Sequence, residues 1–204
     1  MASDTLFEQL KHPNPNLRER AMLQIAENQD ENTIPRLMNN LSDEDTVYRR
    51  ASVKALGVVG IEAVAPLVEK LLHDDNPTTR ASCAKALTQI AVNFPDTQFP
   101  QKGLEGLKTA IEDPNPVVHI ASVMALGEIG SPAFEILAET LKNTENLAVA
   151  VATINAFGSM GDSRGLEVLA KLAEDESADP YIIESARSAL PRLEQVIKYQ
   201  QMNT

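Results

Sequence analysis

The side chains best suited to covalent or metal chemistry in this sequence are one cysteine and three histidines. Cys83 is the only thiol in the 204 residues, and the histidines are His12, His73 and His119. Nucleophilic catalysis needs a thiol or hydroxyl with a base in reach. A metal site needs ligands at short, fixed spacings such as C-x-x-C or H-x-x-x-H. Neither spacing occurs, so the sequence predicts no catalytic residue and no metal site.

Cys83 also occupies a position that recurs at regular intervals along the chain. Its counterparts are all small residues: Ala21, Ser52, Ser122, Thr153 and Ala186. A column of small residues is typical of a helix-packing position, and a thiol buried there has a raised pKa and little reactivity. We therefore interpret Cys83 as a structural residue.

The carboxylates cluster in short polar segments and not around a possible nucleophile. Asp43, Glu44 and Asp45 are adjacent, and Asp74 precedes Asp75. These segments stand just before expected helices, where acidic side chains cap free N–H groups and add solubility. Each G-x-x-G that ends a copy of the repeated motif follows an expected helix instead of opening one. The sequence therefore predicts no phosphate-binding loop.

The elements that must position these residues are copies of one motif, YRRASVKALG. The copies lie at Leu17–Ala26, Tyr48–Gly57, Thr79–Thr88, Val118–Gly127, Val149–Gly158 and Ile182–Pro191, at spacings of 31, 31, 39, 31 and 33 residues. A period of about 30–45 residues is the signature of stacked helical hairpins. The sequence predicts one all-α domain, a right-handed α-solenoid of about six hairpins. The expected units span about 3–30, 31–60, 61–100, 101–130, 131–161 and 162–204.

Each unit carries the signals of two helices joined by a tight turn. The first helix has apolar residues at helical spacing, such as Leu37 and Leu41. The turn places Asn or Asp before Pro, as at Asn76-Pro77, which is typical of a helix N-cap and first helical residue. The second helix contains the motif and is expected to end at its G-x-x-G. The segment Arg192–Met202 is expected to extend the last helix as a cap.

A column of basic residues, Arg18, Arg49, Arg80 and His119, runs through the motif. Acidic residues stand shortly before it, as Asp74 stands before Arg80. In a stack, each Arg could bridge acids or helix-end carbonyls of adjacent turns. We interpret this column as structural. An anion-binding row is the alternative, and the nearby acids disfavour it.

The third unit interrupts the repeat. Thr88 replaces the motif's last glycine, so its helix is expected to continue to Val92 or Asn93, and eight extra residues follow. This insertion contains Phe94 and Phe99. Insertions in solenoids project from one edge and often carry specificity, which makes both rings candidate partner contacts. The alternative is that they fill the gap left by the broken spacing.

A stripe on the second helices changes its chemistry along the stack. Its members are Arg50, Lys54, Lys85, Ile120, Met124 and Val151. Second helices line the concave side of such solenoids, so the stripe predicts a groove that is basic near units two and three and apolar near units four and five. An apolar patch flanked by charge is typical of a protein-binding surface. In the alternative interpretation, the side chains of Ile120, Met124 and Val151 are buried between helices.

Composition limits the class of partner. The formal net charge is −11, so the surface repels nucleic acid and anionic membranes unless basic residues are segregated. No apolar run approaches the ~18 residues of a membrane span, and the first residues lack the pattern of a signal peptide. A single cysteine favours a reducing, cytoplasmic location.

The order Asp/Asn-Pro, Val-Arg, Ala and Ala-Leu-Gly resembles the HEAT-like repeats of the cyanobacterial phycobilisome-lyase class. The match runs through about six units and is clearest at Asp43–Gly60, Asp74–Leu87 and Asp113–Gly130. The motif is specific for the repeat class and not for one member. That class includes heterodimeric bilin lyase subunits, a phycobilisome degradation factor, and non-catalytic proteins that accompany phycobiliprotein subunits or iron–sulfur assembly proteins.

The resemblance implies a non-catalytic scaffold or assembly chaperone for a phycobiliprotein subunit, without a cofactor. The alternatives are a subunit of a lyase that attaches phycocyanobilin to a client cysteine, with the bilin as a transient ligand, an iron–sulfur assembly partner, or a degradation factor. A cysteine that carried bilin should depart from the pattern of its column, whereas Cys83 is small like the other residues of that column. The oligomeric state is open, because lyases of this class pair two unlike chains.

Overall fold

The computed structural model describes residues 2–202, and within that range the chain forms twelve α-helices and no strand. They are α1 (Ala2–Gln9), α2 (Pro15–Glu27), α3 (Thr33–Asn39), α4 (Thr46–Val59), α5 (Val64–His73), α6 (Pro77–Asn93), α7 (Gln101–Ala110), α8 (Pro116–Ile129), α9 (Phe134–Asn143), α10 (Leu147–Ser159), α11 (Arg164–Glu174) and α12 (Pro180–Met202). Short 3-10 turns lie at Asn40–Ser42, Ile61–Ala63 and Ser131–Ala133. The prediction of an all-α fold is confirmed.

Consecutive helices pair as six hairpins, one at each expected repeat unit; residues 203 and 204 of the last unit lie outside the described range. The second helices of the hairpins, α2, α4, α6, α8, α10 and α12, pack against one another in succession. Each first helix packs on its own second helix. The chain is therefore an α-solenoid in which the repeated motif forms one continuous layer.

The second helices begin where the Asn and Asp residues predicted them to begin. The side chains of Asn14, Asp45, Asn76, Asn115 and Asn146 each accept a hydrogen bond from the backbone N–H two residues further on. Three of these caps precede a proline at the first helical position. Each cap satisfies an N–H that has no partner inside the helix and contributes about 1 kcal/mol.

The apolar core follows the columns of the repeat. The motif's ninth residue, Leu56 in α4, Leu87 in α6, Leu126 in α8 and Phe157 in α10, is fully buried in each of these helices. Each such side chain removed from water contributes about 2 kcal/mol. Because one column supplies the core from unit to unit, the units depend on their neighbours for stability.

The two glycines of the G-x-x-G that ends the motif have different roles, which corrects the expectation that both form a C-cap. Gly60 ends α4 with a φ of 93°, a conformation that glycine adopts without steric cost. Gly57 lies inside α4 and is buried, and a Cβ placed on it would collide with the Cβ of Gln89 in α6. The first glycine therefore lets adjacent second helices approach closely.

The column of arginines is structural, as predicted. Arg18 donates from Nη1 to the backbone oxygens of His12 and Pro13, at 2.6 and 2.9 Å, and Arg49 donates to that of Asp43. Each bond ties the turn between two helices to the helix that follows it. Since these carbonyls belong to the chain's own turn, the column does not offer a free anion site.

Arg80 adds a bond between units. Its Nε and Nη2 atoms donate to both carboxylate oxygens of Asp113 at 2.7 and 2.9 Å, and Nη1 donates to the carbonyl of Asp74 at 2.9 Å. Burial alone would raise the pKa of Asp113, but the bonds from Arg80 and from the backbone of Asn115 lower it. His119 takes the next position of the column, and its Nε2 is buried without a hydrogen-bond partner among the described residues.

The insertion behaves in part as predicted. Helix α6 runs on to Asn93, as the loss of the glycine indicated. Phe99 is only 7 % exposed, and its ring lies where a side chain on Gly103 would stand. The ring of Phe99 is therefore part of the core, which agrees with the alternative that it fills the gap in the spacing, and its role as a partner contact stays a prediction. Phe94 is partly buried, with its ring against Gly60.

A cluster around Arg164 joins units five and six. Its guanidinium donates to both carboxylate oxygens of Asp162 at 3.0 and 2.7 Å, and to Glu135 at 2.8 Å. It also lies 4.1 Å from the centre of the Phe134 ring. The hydrogen bonds from Arg164 lower the pKa of the buried Asp162 to about 2. An ionised Asp162 is therefore part of the folded state.

This cluster predicts an acid-dependent loss of stability. A carboxyl whose pKa is lower in the folded state stabilises the chain above its ordinary pKa, and that contribution is lost as the pH falls from about 4 to about 2. We expect Asp162→Asn to flatten this part of the stability profile, measured by denaturant unfolding across that pH range. Asp96→Asn, at an exposed carboxylate, is the matched control. Identical slopes for the two variants would contradict the assignment.

No single helix in residues 2–202 is long and apolar enough to cross a membrane. The pair Thr46–Val59 and Ile61–His73 passes by length and composition only when taken together, and it bends by 115°. Both segments contribute side chains to the buried core.

The last helix, α12, runs without interruption through Pro191 to Met202, as expected for a helix that caps the stack.

Candidate protein-binding groove

Within residues 4–202, the exposed large apolar side chains are confined to one layer of the stack. Within residues 4–202, every large apolar side chain that is exposed lies on a second helix: Leu17, Leu23, Val47, Val92, Val117, Met124, Leu147, Tyr181, Tyr199 and Met202. The first helices bury theirs against the core. An apolar surface retained on one layer alone is typical of an interaction face.

Three depressions follow one another along the second helices, and we call this row the groove. The first, of about 440 Å³, lies mainly between α2 and α4. The second, of about 480 Å³, lies between α4, α6 and α8, and the third, of about 410 Å³, between α8, α10 and α12. Arg50 and Lys54 line the first two, and Met124 lines the last two. The groove is therefore continuous across these helices.

The second depression, here called the central pocket, has a cationic rim and an apolar floor. Arg50, Lys54 and Lys85 line it, and all three are exposed. The floor is formed by small or aliphatic side chains that are nearly buried, including Val53, Ala81 and Ala121. None of the described residues that line this pocket is acidic. The structure thus brings three predicted site residues into one pocket.

Three cations without an ion-pair partner among the described residues meet at the central pocket. In the part of the chain that the structure describes, none of the three takes part in an ion pair, whereas Lys108 and Lys171 each bind a glutamate at 2.6 Å. The net charge of the chain is −11. Grouping unpaired cations in a recess concentrates positive potential there, which attracts acidic groups from solution.

The groove becomes more apolar beyond the central pocket. Met124 is 60 % exposed at the junction of the second and third depressions, which excludes the alternative that it is buried between helices. Ile120 is partly buried and lines the third depression. Val151 is also partly buried but lines none of the three depressions. A flexible thioether adapts to varied apolar partners, so Met124 is the residue best placed for such contact.

The insertion lies apart from this groove. Phe94 and Phe99 line a separate depression of about 540 Å³ with Asp96, Pro132 and Met160. The structure therefore does not bring Phe94 together with the six residues of the stripe. As a candidate contact, Phe94 would belong to a different surface.

Sequence reasoning missed two exposed apolar residues of the groove. Val47 lines the first depression and Val117 lines the central pocket. Val47 and Val117 both stand two residues after a capping Asp or Asn. A valine at the start of a helix, where polar residues are common, was a signal available in the sequence.

Cys83 is placed as predicted. The residue is fully buried in α6, and burial raises the pKa of its thiol to about 12. The thiolate is the reactive form of cysteine.

Within residues 4–202, no group of three or more histidine, cysteine and acidic side chains is arranged to hold a metal ion.

We expect Cys83 to be inert in the folded chain. Raising a thiol pKa from 9.0 to about 12 lowers the thiolate fraction about a thousandfold near neutral pH. An aromatic disulfide reagent should therefore release its chromophore at the rate at which the chain unfolds, followed by absorbance. The same chain in denaturant, which exposes one thiol, is the control. A fast reaction in native buffer would show that Cys83 is accessible.

Comparison with known proteins agrees with this architecture. The family model for HEAT repeats matches residues 3–88 and 104–191. The complex of CpcE and CpcF of phycocyanin lyase from Nostoc sp. shares the fold, with a TM-score of 0.53, 24 % identity, and coverage of 76 % of this chain and 97 % of that one. A designed armadillo repeat protein in complex with the peptide (KR)4 also shares the fold, with a TM-score of 0.50, 19 % identity, and coverage of 93 % of this chain and 98 % of that one.

Two relatives match along most of their length. The phycocyanin operon protein Z of Pseudanabaena tenuis, described as uncharacterized, is 54 % identical over 196 residues, covering 96 % of this chain and 97 % of the relative. The bilin biosynthesis protein CpeZ of Synechococcus sp. is 32 % identical over 178 residues, covering 84 % and 95 %. The chain is thus a HEAT-repeat protein and belongs to the family that contains phycocyanin operon protein Z and CpeZ.

Proposed function

We propose that this chain is a non-catalytic scaffold or assembly chaperone that holds a phycobiliprotein subunit in its groove during phycobilisome biogenesis. The observation that carries the proposal is the confinement of exposed large apolar side chains, within residues 4–202, to the layer of second helices. Covering an apolar face of an incompletely assembled subunit would keep it from aggregating. The reducing cytoplasm expected from the single cysteine is the place we propose for this work.

The contents of the central pocket support binding more than catalysis. Among its described lining residues, the central pocket has no carboxylate and no thiol, and Cys83 is fully buried. Carboxylates and thiols are common proton donors and nucleophiles in enzymes, whereas this pocket combines cations with an apolar floor. The names of the two relatives, which refer to a phycocyanin operon and to bilin biosynthesis, support a phycobiliprotein as the client.

The name of the second relative also favours one alternative, a subunit of a bilin lyase that attaches phycocyanobilin to a client cysteine. The two functions separate in one assay. A phycobiliprotein subunit is mixed with phycocyanobilin, with and without this chain, and covalent bilin is measured by zinc-induced fluorescence after denaturing electrophoresis. A scaffold should raise the yield of soluble subunit and leave the covalent bilin per subunit unchanged. Covalent bilin that appears only with this chain present would establish the lyase and reject the scaffold.

A further inference from the structure

The central pocket exists because one position of the repeat changes size. Units two, four and five carry Arg50, Ile120 and Val151 at the motif's third position, whereas unit three carries Ala81. The methyl group of Ala81 is 3 % exposed and forms part of the pocket floor. A long side chain at this position would occupy the space between α4 and α8. The short one leaves a recess with cations on its rim.

The charge along the groove has a definite order. Lys54, Lys85 and Met124 occupy the same motif position in α4, α6 and α8, so they form a row across three adjacent helices. Arg50 stands one turn before Lys54 on the same helix, which adds positive charge at the α4 end of the row. The third depression is lined by Glu128 and Arg192, whose charges offset each other, whereas the central pocket is lined by cations. Positive charge therefore decreases from the central pocket towards α12, so a negatively charged group is favoured over Lys54 and Lys85 and not beyond Met124.

The spacing of this row matches one kind of ligand. Packed helices lie about 8–10 Å apart, and seven residues of an α-helix rise about 10.5 Å. A helix that lies along the groove would thus present residues i, i+7 and i+14 to Lys54, Lys85 and Met124. We infer that the central pocket binds an acidic amphipathic helix of the client, with carboxylates at i and i+7 and an apolar side chain at i+14. This inference rests on the proposed function and names the segment of the client that is held.

The register can be tested with synthetic peptides and the full chain. One helical peptide carries Glu, Glu and Leu at successive heptad positions of one face; a second carries the same residues in the order Glu, Leu, Glu. Binding of dye-labelled peptide is followed by fluorescence anisotropy. The first peptide should bind about tenfold more tightly or better, because only it places both carboxylates over cations. Equal affinity for the two peptides would overturn the inferred register.

Variants of the chain test the pocket itself. Lys54→Glu should weaken the first peptide about tenfold or more, whereas Lys102→Glu, which makes the same charge change at an exposed lysine on the first helix α7, should have little effect. Ala81→Leu leaves every cation in place but fills the pocket, so it should also weaken binding of the first peptide. Equal effects of Lys54→Glu and Lys102→Glu would overturn the inference. A circular-dichroism melt of each variant confirms that it is folded.

The same variants separate this inference from the proposed function. A phycobiliprotein subunit that binds wild-type chain and binds Lys54→Glu and Ala81→Leu equally well would show that the subunit is held elsewhere. That result would keep the proposed scaffold function and reject the central pocket as the binding site. A wild-type chain that holds no phycobiliprotein subunit would reject the scaffold, and with it the segment inferred here.

Discussion

Replacing Arg50 with Glu and Met124 with Asp in one variant is expected to abolish binding of a phycobiliprotein subunit. Arg50 lies on the cationic rim of the groove, and Met124 joins its basic and apolar parts. The first change places a like charge against client carboxylates, and the second places a charge against its apolar face. Centrally placed contacts cost about 2 kcal/mol or more each when lost, so affinity should fall by at least about a hundredfold. The measurement is a titration of the subunit by isothermal calorimetry.

The same variant should keep the fold. Both side chains are exposed, and surface substitutions usually change the free energy of unfolding by less than about 0.5 kcal/mol. Helical content and melting temperature should therefore stay close to those of the unmodified chain. The matched control is Lys102→Glu on α7, outside the groove, which should bind normally. Loss of binding together with a large fall in melting temperature would mean that these side chains support the core.

Replacing Arg80 with Ala is expected to produce a large loss of stability. The side chains of Arg80 and Asp113 are only 13 % and 9 % exposed, and the Arg holds both oxygens of the carboxylate. Removing it leaves a nearly buried charge unpaired and frees the carbonyls of Asp74 and Asp75. Breaking a buried pair in this way costs about 3–5 kcal/mol. Urea unfolding followed by circular dichroism measures the loss.

Arg49→Ala provides the matched comparison. Arg49 makes the equivalent bond to a carbonyl, that of Asp43, and a further bond to Thr46, but no bond to a carboxylate. Its removal should cost about 1 kcal/mol. The double variant Arg80→Ala, Asp113→Ala should recover part of the loss, since neither charge is then buried alone. Equal losses for Arg80→Ala and Arg49→Ala would show that the bond between units carries little stability.

Much of the fold could be predicted from the repeat alone. The spacing of the copies, the Asn-Pro caps and the missing glycine at Thr88 each predicted a helix boundary that the structure has. The column to which Cys83 belongs predicted its burial. These inferences succeed because one unit determines how every other unit packs, so a residue can be interpreted by comparison with its column.

The site was harder to predict because it depends on departures from the repeat. Phe99 lies in an insertion, where the sequence allows either a partner contact or a ring that fills the gap in the spacing, and only the packed structure places the ring beside Gly103. Ala81 is unremarkable as an alanine in a helix, and only the packed stack shows that it opens a pocket beneath Arg50 and Lys85. Contacts between units are set by three-dimensional packing, and spacing along the chain does not encode them.

The claim that the layer of second helices holds the client is tested most directly by amide hydrogen exchange. The chain is compared alone and with a saturating phycobiliprotein subunit. We predict slower exchange in the groove helices, chiefly Thr46–Val59, Pro77–Asn93 and Pro116–Ile129, and little change in first helices such as Val64–His73 and Gln101–Ala110. Protection confined to the first helices, with the groove helices unchanged, would show that the second helices do not hold the client.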